Sequence, residues 1–233
     1  MISRLLFWLW VLPLSAEQLT REHLYTTHRE ELTSYFLDVA LGLEFTDEHQ
    51  VTKKWLQPLR IYCQGRWPAH LQQELTQLVS ELNELTRPGF VSVVAQKHRA
   101  NFVAYYGRAR DYARYVEPKA EPYLRENYGF FYIHWALNYN LYKGSLYIDA
   151  QRALKPEFQR HLLREELTQA LGLMNDSPRY PDSVFYSESS LSTSYSALDQ
   201  ALISLLYNPM MKPKMSRQQA QVVLQRIIEA QNE

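Results

Sequence analysis

A strongly amphipathic helix between two strand-like segments constrains the fold of this sequence more than any other feature. The helix begins at Pro68 and stops before Pro88 and Gly89, which cannot continue it. Its apolar residues recur at helical spacing: Leu71, Leu75, Leu78, Val79, Leu82 and Leu85. The segments before and after it, 55–63 and 90–96, are rich in β-favouring residues. This order predicts a helix that packs against one face of a sheet.

The rest of the sequence predicts further strands and then helices, which is typical of an α+β domain. Strands are predicted at 101–106, 130–138 and 143–149, with an excursion containing a short helix at 108–127. Further helices are predicted at 20–43, 156–173, 198–207 and 217–231. Because strands and helices do not alternate regularly, we expect a mixed, twisted sheet with a backing helix. An active-site-type helix would form the floor of a cleft, followed by a mostly helical or irregular C-terminal subdomain.

The N-terminal residues indicate export. Arg4 precedes an apolar run over 5–14, and a small residue suitable for cleavage follows at Ala16. The run is shorter than the roughly 20 apolar residues that span a bilayer. A cleaved signal peptide over 1–16 is therefore predicted, with an uncleaved anchor as the alternative. The remainder, 17–233, is predicted to be one domain, periplasmic or secreted from a Gram-negative bacterium, with subdomains at about 50–174 and 175–233.

Composition excludes some classes of protein. The formal net charge is 0, which gives no sign of nucleic-acid binding. The sequence has one cysteine, Cys63, so no internal disulfide can form. In a strand beside Tyr62, this cysteine is expected to be a buried, small apolar residue. No transmembrane segment is expected after the signal peptide is cleaved.

The segment with the most chemical information lies near the end of the predicted helix at 156–173. Glu165 and Gln169 are one turn apart with Glu166 beside them, and Gly172 and Asn175 follow. The other side of the helix is apolar: Leu163, Leu167, Ala170 and Leu171. In zinc metalloproteases, H-E-x-x-H places two imidazoles and a general-base glutamate on one helix, and the longer form adds a glycine and a third histidine. The spacing here is the same, although an ordinary amphipathic helix with a glycine C-cap would also produce it.

Oxygen-donor side chains at all three histidine positions decide the expected chemistry. Zinc prefers His nitrogen and Cys sulfur, so Glu165, Gln169 and Asn175 would form a poor zinc shell. Oxygen ligands suit Ca²⁺ or Mg²⁺ better, but two amides contribute no charge. We therefore expect no zinc and no other cofactor. Glu166 keeps the general-base position, and without a metal-activated water it cannot readily hydrolyse a peptide.

Segments along nearly the whole mature chain resemble the bacterial domain-of-unknown-function family 2927, exported proteins similar in fold to the zincin (metzincin-like) metalloproteases. They are 35–42, Trp55 with 58–61, 81–86, Asn101-Phe102, 165–176, 182–186, Leu198-Asp199, 206–209, Lys212-Pro213 and Met215. The Glu-Glu-x-x-Gln block together with Asp-Ser-Val-Phe-Tyr is the most specific. The resemblance implies a zincin-like fold and an exported protein, but no reaction. Lys214 stands where the family pattern implies glycine.

The histidines near these segments have simpler interpretations than metal binding. His161 could pair with Glu165 as a ligand, but a solvated histidine near the start of the helix is expected. His134 lies in an apolar strand and is expected to pack against Trp135. The serines of 187–196 include no G-x-S-x-G elbow, which argues against a serine nucleophile.

We interpret the protein as a non-catalytic, zincin-like binding or assembly protein of the bacterial envelope. A peptide or an envelope protein would lie in the cleft and contact Glu165, Glu166, Gln169, Asn175 and Asp176. Asp176 could instead cap a turn at Pro178. An exposed edge strand within 130–138 could add a peptide strand to the sheet. The alternative is a hydrolase or peptidase that holds a metal through oxygen ligands and His161, or that works without metal.

Overall fold

The computed structural model describes residues 20–41, 50–188 and 191–231, so the predicted signal peptide over 1–16 lies outside the described residues. The helix predicted at 20–43 is wrong as a single helix. The chain forms α1 (Arg21–Thr26) and α2 (Arg29–Ala40), and His28 between them departs from helical geometry with φ −113° and ψ 33°. A change of direction at this residue lets both helices pack on the rest of the domain.

The strands form one mixed sheet, as predicted, but there are six of them rather than the five predicted segments. They are β1 (Lys54–Trp55), β2 (Leu59–Gly65), β3 (Val91–Val93), β4 (Phe102–Gly107), β5 (Gly129–Trp135) and β6 (Asn140–Asp149). The order is β1–β6–β4–β2–β3 with parallel neighbours throughout, and β5 pairs with β6 in the antiparallel direction. Within the described chain, β5 pairs with no other strand, so it forms the edge of the sheet.

The strand predicted at 55–63 is two strands that pair with different partners. Strand β1 lies beside the start of β6, whereas β2 lies between β3 and β4. Pro58, which has no N–H to donate, separates them. The side chain of Asn101 replaces the missing backbone contacts: it accepts from Arg60 N at 2.7 Å and donates to the Pro58 carbonyl at 2.9 Å.

The two faces of the sheet support separate cores. Helices α3 (Ala69–Leu85) and α5 (Pro156–Gln169) pack in the main core, which includes Leu146 and Ile148 of β6. Tyr147 lies between Leu146 and Ile148 in β6, so its side chain faces the opposite side of the sheet. There α4 (Ala109–Tyr115) and a 3-10 helix (Pro118–Tyr123) form a second, smaller core. The predicted backing helix and active-site-type helix are therefore both present.

Two capped helices complete the chain. Helices α6 (Ala197–Tyr207) and α7 (Arg217–Ala230) each begin with a serine capping box. The buried Lys54 Nζ donates to the carbonyls of Leu206 at 2.7 Å and Met211 at 2.9 Å, which satisfies the C-terminal end of α6. Among the helices of the described residues, none has the length and apolar character needed to cross a membrane.

Candidate functional site

Helix α5 begins at Pro156, as predicted, but ends at Gln169 rather than at 173. The chain then turns through Gly172, whose φ is +120°. A side chain at this position would overlap the Lys53 carbonyl oxygen, so the turn needs glycine for space as well as for conformation. The role expected for this residue from the sequence is confirmed.

The apolar side of the segment is buried as predicted. Leu163, Leu167, Ala170 and Leu171 have no exposed surface. Trp55 donates its indole N–H to the Ala170 carbonyl and Tyr207 donates its hydroxyl to the Leu171 carbonyl, each at 2.9 Å. Since these carbonyls follow the last helical residue, the two aromatic side chains satisfy the C-terminal end of α5.

A charged residue beside the apolar side of α5 is buried as well, which the sequence analysis missed. Arg164 is 0% exposed and binds Glu74 at 2.7 Å and Glu81 at 2.5 Å, both on α3. Its guanidinium also lies 4.6 Å from the ring centre of Tyr195. The sequence does contain a sign of this buried cluster, because Glu74 lies at the helical spacing of the buried leucines of α3 and next to Leu75. These contacts join α3 to α5.

His161 and Glu165 form an ion pair along α5. The His161 Nε2 and Glu165 Oε2 atoms are 3.2 Å apart, and Nδ1 lies 3.0 Å from the Ser192 carbonyl. Burial lowers the pKa of His161, but the hydrogen bond and charge of Glu165 outweigh it, so the pKa is raised. The expectation of a solvated His161 is wrong, since this residue is only 5% exposed. Residues after 190 lie over it, a contact between segments about 30 residues apart that local pattern cannot reveal.

The two amides of the motif bind other parts of the chain. Gln169 Nε2 donates to Asp176 Oδ1 at 2.6 Å. Asn175 Nδ2 donates to the Asp38 carbonyl at 3.0 Å, and Asn175 N donates to the Val39 carbonyl at 3.1 Å, both at the end of α2. Asn175 therefore holds the turn after α5 against α2, whereas Gln169 and Asp176 lie together.

The side chains at the three ligand positions of the motif do not fit a zinc shell. The amides of Gln169 and Asn175 serve as hydrogen-bond donors to separate partners, and Glu165 is paired with His161. Zinc prefers nitrogen and sulfur ligands that converge on one point. Within the part of the chain that the structure describes, no three His, Cys, Asp or Glu side chains gather closely enough to hold a metal. We derive no metal-dependent step, and the absence of a cofactor stays a prediction.

Glu166 lies where α5 meets the edge strand. It is 7% exposed, and its carboxylate contacts the backbone of β5 so closely that a side chain at Gly129 would overlap Glu166 Oε1. A glycine at the start of β5 thus lets the strand approach the helix. The general-base position of the motif and the edge strand are therefore neighbours, and the role of Glu166 stays a prediction.

The model of the family described as "Protein of unknown function (DUF2927)" matches residues 29–226.

The chain belongs to this family.

A comparison with curated proteins gave no match. The crystal structure of archaemetzincin from Methanopyrus kandleri aligns with 74% of this chain and 96% of its own length, at 16% identity and a TM-score of 0.33. The predicted α+β architecture, with a mixed sheet, a backing helix and an active-site-type helix, rests on the strand order and helix packing described above.

Two segments that carried the DUF2927 resemblance contact each other in the interior. Ser183 Oγ donates to Asp199 Oδ1 at 2.6 Å and accepts from the Tyr35 hydroxyl at 3.0 Å. Asp199 also accepts from Val184 N at 3.3 Å and Ser196 N at 2.9 Å. Sequence reasoning missed this network, although the Ser-x-x-Asp spacing at the start of α6 is a capping-box signal. Ser183 and Asp199 have no exposed surface, so these hydrogen bonds connect α2, the segment at 183–184 and the start of α6 within the interior.

The remaining candidates have structural surroundings. Instead of packing against Trp135, as predicted, His134 contacts Glu117 and Tyr132. Its Nε2 lies 2.7 Å from Glu117 Oε2, and its ring centre is 5.2 Å from that of Tyr132. Cys63 is half-buried rather than buried. Burial raises the pKa of this thiol to about 11, which disfavours a reactive thiolate.

Proposed function

We propose that the protein is a non-catalytic binding protein of the bacterial envelope that holds an extended peptide at the outer edge of β5. The observation that carries the proposal is that the polar side chains at the zincin ligand positions are engaged within the chain. Those contacts are Glu165 with His161, Gln169 with Asp176, and Asn175 with the Asp38 carbonyl. A catalytic metal site needs ligand atoms that converge on one point, whereas these side chains are held by separate partners. A binding surface gains affinity when its side chains are already fixed in place.

The edge of β5 supplies the backbone groups that a peptide strand could use. The Asp149 N–H donates to the Tyr128 carbonyl at 2.8 Å, and the antiparallel register with β6 continues from this pair. Since successive residues of a strand alternate in direction, the backbone groups of Gly129, Phe131 and Ile133 point away from β6. An added antiparallel or parallel strand would bond to these groups beside Glu166 on α5.

The decisive experiment separates the outward N–H of Phe131 from its side chain. Peptides selected from a displayed library of random dodecapeptides on the wild-type protein are titrated against Phe131→Ala and Phe131→Pro. Both variants lose the ring, but only the proline variant loses the N–H, and edge strands tolerate proline. We expect the alanine variant to keep most of the affinity and the proline variant to lose about tenfold or more. Equal affinities, or no selected peptide, would contradict the proposal, provided that both variants melt within a few degrees of each other.

The hydrolase alternative makes an opposite prediction that is checked separately. Protein purified in the presence of zinc is analysed for metal, and peptidase activity is assayed with and without chelator. We expect less than one metal ion per chain and no chelator-sensitive cleavage. Stoichiometric metal together with cleavage that chelator abolishes would replace the binding proposal with the hydrolase.

Export is the remaining part of the proposal and rests on the residues of 1–16. A positive residue, an apolar run and a small residue at Ala16 support cleavage by a signal peptidase. After expression of the full chain in a Gram-negative host, we expect periplasmic protein whose first residue is Glu17. A cytoplasmic protein that retains Met1 would contradict export without affecting the peptide-binding proposal.

A further inference from the structure

We propose that a pocket on the α4 side of the sheet binds an organic anion, with its apolar body on the pocket floor and its carboxylate or phosphate group held by arginines. The pocket lies between α4, the 3-10 helix and the turn after β6, and its volume is about 700 Å³. Sites for small molecules have volumes of about 300–1,000 Å³. It is separate from the peptide edge proposed above, so either proposal can fail alone.

Positive charge is concentrated at this pocket. Its lining includes Arg110, Arg114, Arg125 and Arg152, whereas Glu121 is the one acidic residue of the lining. The whole chain has a formal net charge of 0, so the excess is local. Like charges gathered around a concave surface repel one another, and a bound anion relieves that repulsion.

One of the arginines belongs to the frame of the pocket. Arg152 pairs with Asp149, and its guanidinium donates to the carbonyls of Arg125 at 2.7 Å, Leu124 at 2.8 Å and Asn127 at 2.7 Å. These bonds tie the turn after β6 to the end of the 3-10 helix. Four of the five N–H donors of Arg152 are therefore occupied, so it fixes the shape of the pocket rather than offering a free binding group.

The other three arginines are available to a ligand. Arg110, Arg114 and Arg125 are exposed, and none of them forms an ion pair with the residues that the structure describes. The Arg114 guanidinium lies 5.1 Å from the ring centre of Tyr115, which limits its orientation. Guanidinium groups bind carboxylate and phosphate oxygens through paired hydrogen bonds, and several of them around one pocket favour an anionic group.

The floor of the pocket is apolar and continuous with the second core. Ala113 and Leu124 line it and are 9% and 3% exposed, and both belong to the second core beneath α4. Ala109 and Pro118 extend the same apolar surface. Inorganic phosphate alone would leave this surface in contact with water, so the arrangement favours an anion that also carries an apolar body.

The first experiment compares two probes that differ in charge. 1-Anilinonaphthalene-8-sulfonate carries an oxyanion and an apolar body, and N-phenyl-1-naphthylamine is its uncharged counterpart. Both are titrated by fluorescence against wild type, the double variant Arg114→Ala/Arg125→Ala, and the control Arg226→Ala, an exposed arginine of α7. We expect one saturable site for the sulfonate that the double variant weakens about tenfold or more and the control leaves unchanged.

A second measurement identifies the anionic group. Octanoate, octyl phosphate and inorganic phosphate are tested for displacement of the sulfonate probe from the wild-type protein. Displacement by octanoate or octyl phosphate, with little effect of inorganic phosphate, supports the proposal and distinguishes a carboxylate from a phosphate ligand. If the double variant does not fold, Arg110→Ala is measured in its place. Equal binding of both probes, an equal loss in Arg226→Ala, or no displacement by either amphiphile would overturn the proposal.

Discussion

Gly172 and Lys214 both have left-handed backbone geometry, with φ values of +120° and +71°. Glycine at 172 has no Cβ to overlap the Lys53 carbonyl, whereas the lysine at 214 adopts this conformation with a Cβ present. The sequence resemblance implies glycine at 214. The structure supplies the physical reason in the positive φ, which glycine adopts without steric cost; in this turn the Lys214 N–H donates to the Thr52 carbonyl at 2.8 Å.

We predict that Lys214→Gly stabilises the protein. A non-glycine residue in this region costs about 1–2 kcal/mol, and the greater freedom of unfolded glycine offsets about 0.4–1 kcal/mol of the gain. The Lys214 side chain is exposed and contributes little to stability. The net increase in the free energy of unfolding is therefore about 0.5–1 kcal/mol. Thermal unfolding measures it. Lys212→Gly, at an exposed lysine without positive φ, is the control and should destabilise; equal effects would contradict the explanation.

At the scale of helices, the contact between α3 and α5 depends on a buried charge cluster. Arg164 is enclosed by Glu74 and Glu81, residues that lie about 90 positions earlier in the chain. Removing one partner from a buried ion pair leaves a charge without full compensation, which costs more than the pair contributes to stability. The motif helix is therefore held by charges that lie outside the motif positions.

We predict that Glu74→Gln lowers the free energy of unfolding by about 2–3 kcal/mol, somewhat less than the loss of an entire buried pair because Glu81 remains beside Arg164. Urea unfolding of the variant and the wild type measures the difference. Glu84→Gln, an exposed position on the same helix, is the matched control and should change stability by less than about 0.5 kcal/mol. Equal effects of the two substitutions would show that the cluster does not stabilise the helix pair.

At the scale of the whole molecule, Asp199 joins three parts of the chain. Its carboxylate receives hydrogen bonds from the segment at 183–184 and from the start of α6, and Ser183 connects it to Tyr35 of α2. Burial raises the pKa of Asp199 to about 6, against the lowering effect of the hydrogen bonds from Ser183 and Ser196. The stability of the assembled helices should therefore depend on pH.

The sign follows from a folded-state pKa above the unfolded value of 3.8. Below about pH 4 the carboxyl is protonated in both states and its contribution to stability is fully present; this contribution is lost as the pH rises through about 6. We predict that the free energy of unfolding of the wild type falls by about 2 kcal/mol relative to Asp199→Asn between pH 4 and pH 7. Chemical unfolding at several pH values tests this. A difference between the two proteins that does not change with pH would contradict it.

Local patterns predicted most elements because helical and strand periodicity depends on neighbouring residues. Helix α3 begins one residue after the predicted Pro68, and the start of α5 agrees with the prediction. The predicted elements were wrong where a helical or strand pattern continues past a point at which the chain changes direction, as at His28 and Pro58. For the candidate site, the sequence predicted the turn at Gly172 correctly, but it missed the buried Arg164, since its partners are distant along the chain.

The sequence by itself determined the α+β class, the apolar side of α5, the turn glycine and the DUF2927 membership, because each depends on residue type and spacing along a continuous segment. Only the tertiary structure decided what the polar residues of the motif contact. Hydrogen bonds and ion pairs require atoms within about 3 Å, and the partners of Gln169, Asn175 and Arg164 are brought there by the packing of separate elements. For the same reason, the pocket between α4 and the turn after β6 has no counterpart in any single segment.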